Sequence, residues 1–127
     1  MKCLSKEDIL QIHSMAIDET GGIHGIHNYD AVLSLEITPK QKVFGKELYP
    51  TIFLKAAVYA RNIIMNHPFL DGNKRTGMIS ASVFLEDNGY KIIAKKGEIE
   101  KFALKIISDK LDLDLIAGWF KKYSKKL

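Results

Sequence analysis

Residues 67 to 77 read His67-Pro68-Phe69-Leu70-Asp71-Gly72-Asn73-Lys74-Arg75-Thr76-Gly77. Within nine positions this segment holds an imidazole, a carboxylate, an amide, an ammonium and a guanidinium. An imidazole titrates close to neutral pH, so His67 is suited to remove a proton from a hydroxyl. Asp71 supplies the hard oxygen that Mg²⁺ shares with phosphate. Gly72 allows a sharp turn or a close approach of backbone to ligand. The helix expected to start at Asn73 offers unpaired N–H groups and the positive end of its dipole to an anion. Lys74 and Arg75 fall in that first turn, where like charge opposes the dipole by about 0.3–1 kcal/mol each. A bound polyphosphate would offset that cost. Singly, each residue has a structural reading: His67 ends a helix, Asp71 or Asn73 caps one, and the cations are solvated. Together, beside a glycine, they point to a phosphate site.

The elements around this segment read as helices. Ser5 and Asp8 form a capping box ahead of Ile9, Leu10, Ile12, Ala16 and Ile17, and Gly21-Gly22 stops that helix. Asn28 caps a short helix with Ala31, Val32 and Leu35. The polar stretch from Thr38 to Glu47 holds Pro39 and Gly45 without a sustained period, so it is an exposed loop or small hairpin. Pro50 suits the first turn of a third helix, whose apolar face is Phe53, Ala56, Ala57, Ala60, Ile63 and Ile64. That helix should end near His67-Pro68, since the residue before a proline is pushed out of helical geometry. Phe69 and Leu70 pin the following loop to the core. A fourth helix runs from Asn73 to Asn88 with Ile79, Val83 and Phe84 inward. Tyr90 to Ala94 reads as a lone strand, and helices over 98–110 and 112–123 close the chain. The fold expected is all-α, a compact helical bundle over residues 1–127 with a small flap loop or hairpin.

The 127 residues, 46% hydrophobic and 27% charged, leave no room for a second nucleotide-binding domain. The single cysteine, Cys3, cannot make an internal disulfide and favours a reducing compartment. No segment approaches the roughly 20 apolar residues of a membrane span, and the N-terminus lacks a secretory pattern. A cytoplasmic protein is expected. Residues 1–90 carry nine basic and ten acidic side chains, whereas residues 91–127 carry ten lysines and five acids. The lysines of that basic third are spread among acids and lack any arginine, so direct nucleic-acid binding is disfavoured. His24 and His27 do not complete a metal site. Met15, Met65 and Met78 read as core filler, and Trp119-Phe120 as the face that docks the last helix.

The segment His-Pro-Phe-x-Asp-Gly-Asn-Lys-Arg-Thr resembles the signature of the Fic/Doc family, in the form carried by death-on-curing (Doc) toxins. Gly21-Gly22 with Gly25, Phe44-Gly45, Leu48-Tyr49-Pro50, Lys55-Ala56-Ala57, Phe84-Leu85 and Asn88-Gly89 extend the resemblance over roughly residues 5–95. By position it implies that His67 is the catalytic base, Asp71 the Mg²⁺ ligand, Gly72 and Asn73 the anion-binding turn, and Arg75 a phosphate-binding arginine. Lys74 departs from the broader Fic pattern, which has glycine there and transfers AMP from ATP. Met78 departs too, where that pattern has a second arginine. Doc toxins share the lysine, bind the nucleotide reversed, and phosphorylate a threonine of elongation factor Tu, arresting translation. The resemblance thus implies a bacterial toxin–antitoxin kinase using ATP and Mg²⁺, with Thr38–Leu48 as the flap that docks the target. Ser82–Glu86 begins an inhibitory Fic-type motif but continues into Asp87, so control falls to an antitoxin whose disordered tail folds as a helix in an apolar groove. AMP transfer, or a helical nucleic-acid-binding module, are the competing readings.

Overall fold

The computed structural model describes all 127 residues, Met1–Leu127. Six helices form it, with two small antiparallel strand pairs. Helix α1 (Lys6–Thr20) begins at the expected capping box: Ser5 Oγ accepts from the Asp8 amide at 3.1 Å, and Asp8 returns the bond to the Ser5 amide at 2.9 Å. Helix α2 (Tyr29–Ile37) is capped by Asn28, whose side chain accepts from the Ala31 amide.

Helix α3 (Ile52–Asn66) starts two residues later than Pro50 suggests. Thr51 is the cap, because its hydroxyl satisfies the Leu54 amide at 3.1 Å and leaves Pro50 outside the helix. This helix is not one-sided. Every residue from Lys55 to Ala60 is buried, as are Ile63 and Ile64, which makes α3 the central rod of the fold. Helix α4 (Asn73–Asp87) lies against it at Gly77, where a Cβ would sit 2.8 Å from Ile64 Cγ1 and 3.1 Å from the Ala60 carbonyl oxygen. Only glycine admits that approach. The inward residues of α4 include Thr76, Met78, Ala81, Phe84 and Leu85, while Ile79 and Val83 are only half-buried. Fully burying a side chain the size of Phe84 or Leu85 contributes about 1.5–3 kcal/mol.

Tyr90 to Ala94 is not a lone strand. Strand β3 (Tyr90–Ile92) pairs antiparallel with a C-terminal strand, Ser124–Lys126, Tyr90 opposite Lys126 and Ile92 opposite Ser124. Helices α5 (Lys96–Ser108) and α6 (Leu113–Lys122) stand between the paired strands, joined by Phe102 stacked on Trp119 with ring centres 4.2 Å apart. Phe120 is fully buried, so the aromatic pair does dock the last helix.

The polar stretch after α2 becomes a 3₁₀ turn (Thr38–Lys40) and a hairpin of strands β1 (Lys42–Val43) and β2 (Lys46–Glu47). Phe44 and Gly45 form its two-residue turn with φ of 50° and 78°, the positive values a type I′ turn requires. Two apolar expectations fail. Met15 is exposed, because it lies on the solvent side of α1, opposite the buried Ile9, His13, Ala16 and Ile17; Met78 is buried and Met65 half-buried. Leu70 also points outward, leaving Phe69, 1% exposed, to pin the loop alone. No helix is long and apolar enough to cross a membrane.

Candidate functional site

Three of the six sequence-derived site residues, His67, Asp71 and Gly72, ride on the turn that joins α3 to α4, and the other three, Asn73, Lys74 and Arg75, open α4. His67 ends α3 in left-handed geometry, φ 48°, with its imidazole exposed. A non-glycine residue in that region is uncommon, and it turns the chain out of the helix directly into Pro68. The backbone then runs back past the segment that follows α1. Phe69 forms an antiparallel bridge with Ile26. The Pro68 carbonyl accepts from the His27 and Asn28 amides at 2.8 and 3.0 Å, and the Leu70 amide donates to the Gly25 carbonyl at 3.1 Å.

Side chains complete the brace. Asn73, 9% exposed, receives the Phe69 amide on Oδ1 at 3.1 Å and donates from Nδ2 to the Phe69 carbonyl at 2.9 Å. Its amide is therefore committed to shaping the loop, and only its backbone N–H is left for an anion. The second brace, His13, is not among the residues singled out from the sequence. From α1 its ring stacks on Phe69, centres 3.8 Å apart and planes within 6°, and its Nε2 lies 2.8 Å from the Asp71 carbonyl oxygen. Burial holds the His13 pKa below the ordinary imidazole value, so the neutral ring donates that bond. A lone histidine among Ile9, Ala16 and Ile17 on the apolar face of α1 was the available signal.

Asp71 is fixed from both sides. Its Oδ1 accepts from the Gly72 amide at 2.8 Å and its Oδ2 from the Ile23 amide at 3.2 Å. Gly22 must be glycine here, because a Cβ would sit 2.7 Å from Asp71 Oδ2 and its φ is +122°. The carboxylate is thus exposed and aimed, with lone pairs remaining. Gly72 adopts φ 74° as the cap of α4 and has Ile17 Cδ1 2.8 Å from where a Cβ would be.

The N-terminus of α4 differs from those of α1, α2, α3 and α6. Side chains of Ser5, Asn28, Thr51 and Asp112 cap α1, α2, α3 and α6, whereas Gly72 has no side chain to offer. The first amides of α4 remain open, and Lys74 and Arg75 stand exposed beside them with no ion pair. Open amides, a helix dipole and two unpaired cations together favour a bound anion at this end of α4.

Other features lie apart. His24 is bonded to Asp18 at 2.8 Å, and His27 is exposed. A groove of about 640 Å³ opens between α5 and α6 over Phe102 and Trp119, its rim mixing Lys101, Lys105 and Lys122 with Glu98 and Asp114. It shares no residue with the 67–77 turn.

A model of the Fic/DOC family matches residues 3–85. The chain is 32% identical over 117 residues to a protein named Toxin Doc from Mycolicibacterium smegmatis, covering 91% of this chain and 88% of that one. It is 28% identical over 92 residues to Protein kinase doc of Escherichia phage P1, covering 72% of each. The matched region holds the 67–77 turn and both segments that brace it.

Proposed function

The chain belongs to the Fic/DOC family, and from that premise we propose that it is the toxin of a toxin–antitoxin pair, transferring the γ-phosphoryl group of ATP to a protein hydroxyl. The observation that carries this reading is the uncapped N-terminus of α4, flanked by exposed Asp71, Lys74 and Arg75 and facing a turn that ends on exposed His67. The names of the two relatives, one a toxin and one a protein kinase, support it.

Each residue has a distinct part. His67 removes the proton of the attacking hydroxyl. The Asn73 amide, presented by the turn at Gly72, holds the phosphates with the Lys74 and Arg75 side chains, so transfer proceeds by positioning and charge neutralisation. Asp71 fits a magnesium ion, since both its oxygens are anchored by amides and one carboxylate plus phosphates is how Mg²⁺ is commonly held. Bound there, the ion would neutralise phosphate charge. Phosphoryl transfer is favoured over AMP transfer by two positions. Lys74 extends where the AMP-transferring pattern has glycine. Met78, 5% exposed and packed in the core, stands where that pattern has its second arginine.

The acceptor reading is a threonine of elongation factor Tu, docked along the β1–β2 hairpin, with translation arrested in the bacterial cytoplasm. Phe44 at the hairpin tip is fully exposed in strained left-handed geometry, which suits a contact made to another molecule. Control comes from an antitoxin whose tail folds as a helix on an apolar groove. The groove between α1 and α4, with Leu4, Ile12, Met15 and Val83 as its apolar lining and Asp8, Gln11 and Asp87 beside them, is one such seat.

Labelled ATP tests this. With elongation factor Tu as acceptor, label from the γ position reaches the protein and label from the α position does not. α-Label transfer overturns the kinase reading in favour of AMP transfer. His67→Ala loses about 10²–10⁴-fold in rate and no longer arrests growth on expression. If His67→Ala is as toxic as the parent, the catalytic assignment fails.

A further inference from the structure

Lys55 is 1% exposed, yet it is a lysine on the central helix of the fold. A buried ammonium is costly unless its protons find partners, and those partners identify what it does. Both lie in the segment between α2 and α3. Its Nζ donates to the Pro39 carbonyl at 2.7 Å, at the 3₁₀ turn that enters the hairpin, and to Glu47 Oε1 at 3.0 Å, on the strand that leaves it. One side chain therefore clasps both legs. The hairpin has little else. All four residues of its strands are exposed, Phe44 and Gly45 are exposed, and the Leu48 amide to Gln41 carbonyl bond at 2.9 Å closes the stem on itself rather than on the body. Among the chain's ion pairs, this is the one whose cation is buried: the Lys55 side chain is 2% exposed, against 34% for Lys6.

We propose that Lys55 is a positioning residue that sets where the β1–β2 hairpin stands on α3, and thereby where an acceptor protein is presented to His67. The helix that carries Lys55 near its start carries His67 at its end, so clasp and base share one rigid element. This rests on the reading that the hairpin receives the acceptor. Lys55 itself touches neither nucleotide nor acceptor; it acts through Pro39 and Glu47. Removing the ammonium frees the hairpin while the turn at 67–77, braced separately by Asn73, His13 and the Gly25–Asn28 segment, keeps its shape. Acceptor KM should then move and kcat should not.

Amide hydrogen exchange of the full chain tests the clasp directly. In Lys55→Met, whose side chain keeps the buried volume, the Leu48 amide and the hairpin should exchange about tenfold faster, with no change over residues 67–77. Glu47→Ala, at a half-exposed position that does not threaten folding, should shift the same amides less. Unchanged hairpin exchange in both variants overturns the clasp. For phosphorylation of elongation factor Tu, Lys55→Met should raise acceptor KM about tenfold while kcat and the KM for ATP stay within about twofold. A fall in kcat with unchanged acceptor KM overturns the proposal. Phe44→Ser separates the two levels. If it raises acceptor KM and Lys55→Met does not, the clasp is wrong and hairpin docking stands. If neither does while the hairpin loosens, docking at the hairpin fails and the positioning role fails with it.

Discussion

Two turns flank helix α3, and they are held in opposite ways. The one at its C-terminal end, residues 67–73, is fixed by backbone bonds to Gly25, His27 and Asn28, by two bonds from Asn73, and by His13 stacked on Phe69. The one before its N-terminal end, the β1–β2 hairpin, is tied to the body by one buried lysine beside the buried Pro39 of its entering leg. Where several independent contacts determine the same backbone, losing one shifts a stability; where one contact does so, losing it frees the element. Phosphoryl chemistry needs atoms fixed to fractions of an ångström, whereas a surface that receives another protein gains from being adjustable.

Four measurements break or sharpen this contrast, the strongest first. Asn73→Ala leaves the buried amide and carbonyl of Phe69 without partners, at about 1–3 kcal/mol for each group that water cannot reach. Denaturant unfolding should show the loss, and activity should fall with it. If stability is unchanged, the loop is not braced as described. Gly22→Ala forces a Cβ onto Asp71 Oδ2 from a φ of +122°, a strain of about 1–3 kcal/mol. Its signature is functional: the displaced carboxylate should raise the magnesium concentration required for activity, an effect absent from hairpin variants.

The third concerns pH. The His13 pKa is lowered on folding, chiefly by burial, so the unfolded chain takes up this proton more readily than the folded one. Its contribution is therefore complete above the ordinary imidazole value of about 6.5 and is lost as pH falls below it, toward the lowered folded value. The Asp71 carbonyl and carboxylate oppose that shift and His24 adds to it. Comparing thermal midpoints of the parent and His13→Gln from pH 8 down to about 5 isolates the term, and a difference that does not vary with pH would show that His13 titrates alike in both states. The smallest effect is expected at the hairpin tip. Phe44→Ser should change stability by no more than about 0.5 kcal/mol, because the ring is fully exposed. A larger loss would mean that the hairpin is tied to the body by more than Lys55.

Much of this was legible in the chain. Ser5 and Asn28 announce their helices because a cap is a local bond between near neighbours, and the 67–77 segment stands out by its cluster of titratable and charged side chains. What stayed hidden depends on distant partners. Lys55 looks like any helical lysine until the hairpin folds over it. His13 looks like a core histidine until Phe69 arrives, 56 positions later. Tyr90–Ile92 looks unpaired because its partner is Ser124–Lys126, a polar segment with no strand pattern of its own. Leu70 and Met15 misled because hydrophobicity alone does not say which side of an element faces in. Thr51 displaced Pro50 as the start of α3 because a hydroxyl bond outweighs a tolerated ring.

Helix α3 carries Lys55 and His67 twelve positions apart, about 18 Å along a helix axis. On the proposed reading it works as a ruler between the hairpin that would receive a partner and the histidine that would take a proton. A ruler of this kind is graduated in whole residues. One residue inserted into it would move the far end by about 1.5 Å and swing it by about 100°, far more than the chemistry tolerates. Apolar side chains along α3 are free to drift so long as they fill the core, but its length is not. Variation in acceptor preference among chains of this fold should be written in the hairpin, where loops lengthen and shorten at little cost, and not in the helix that measures the gap.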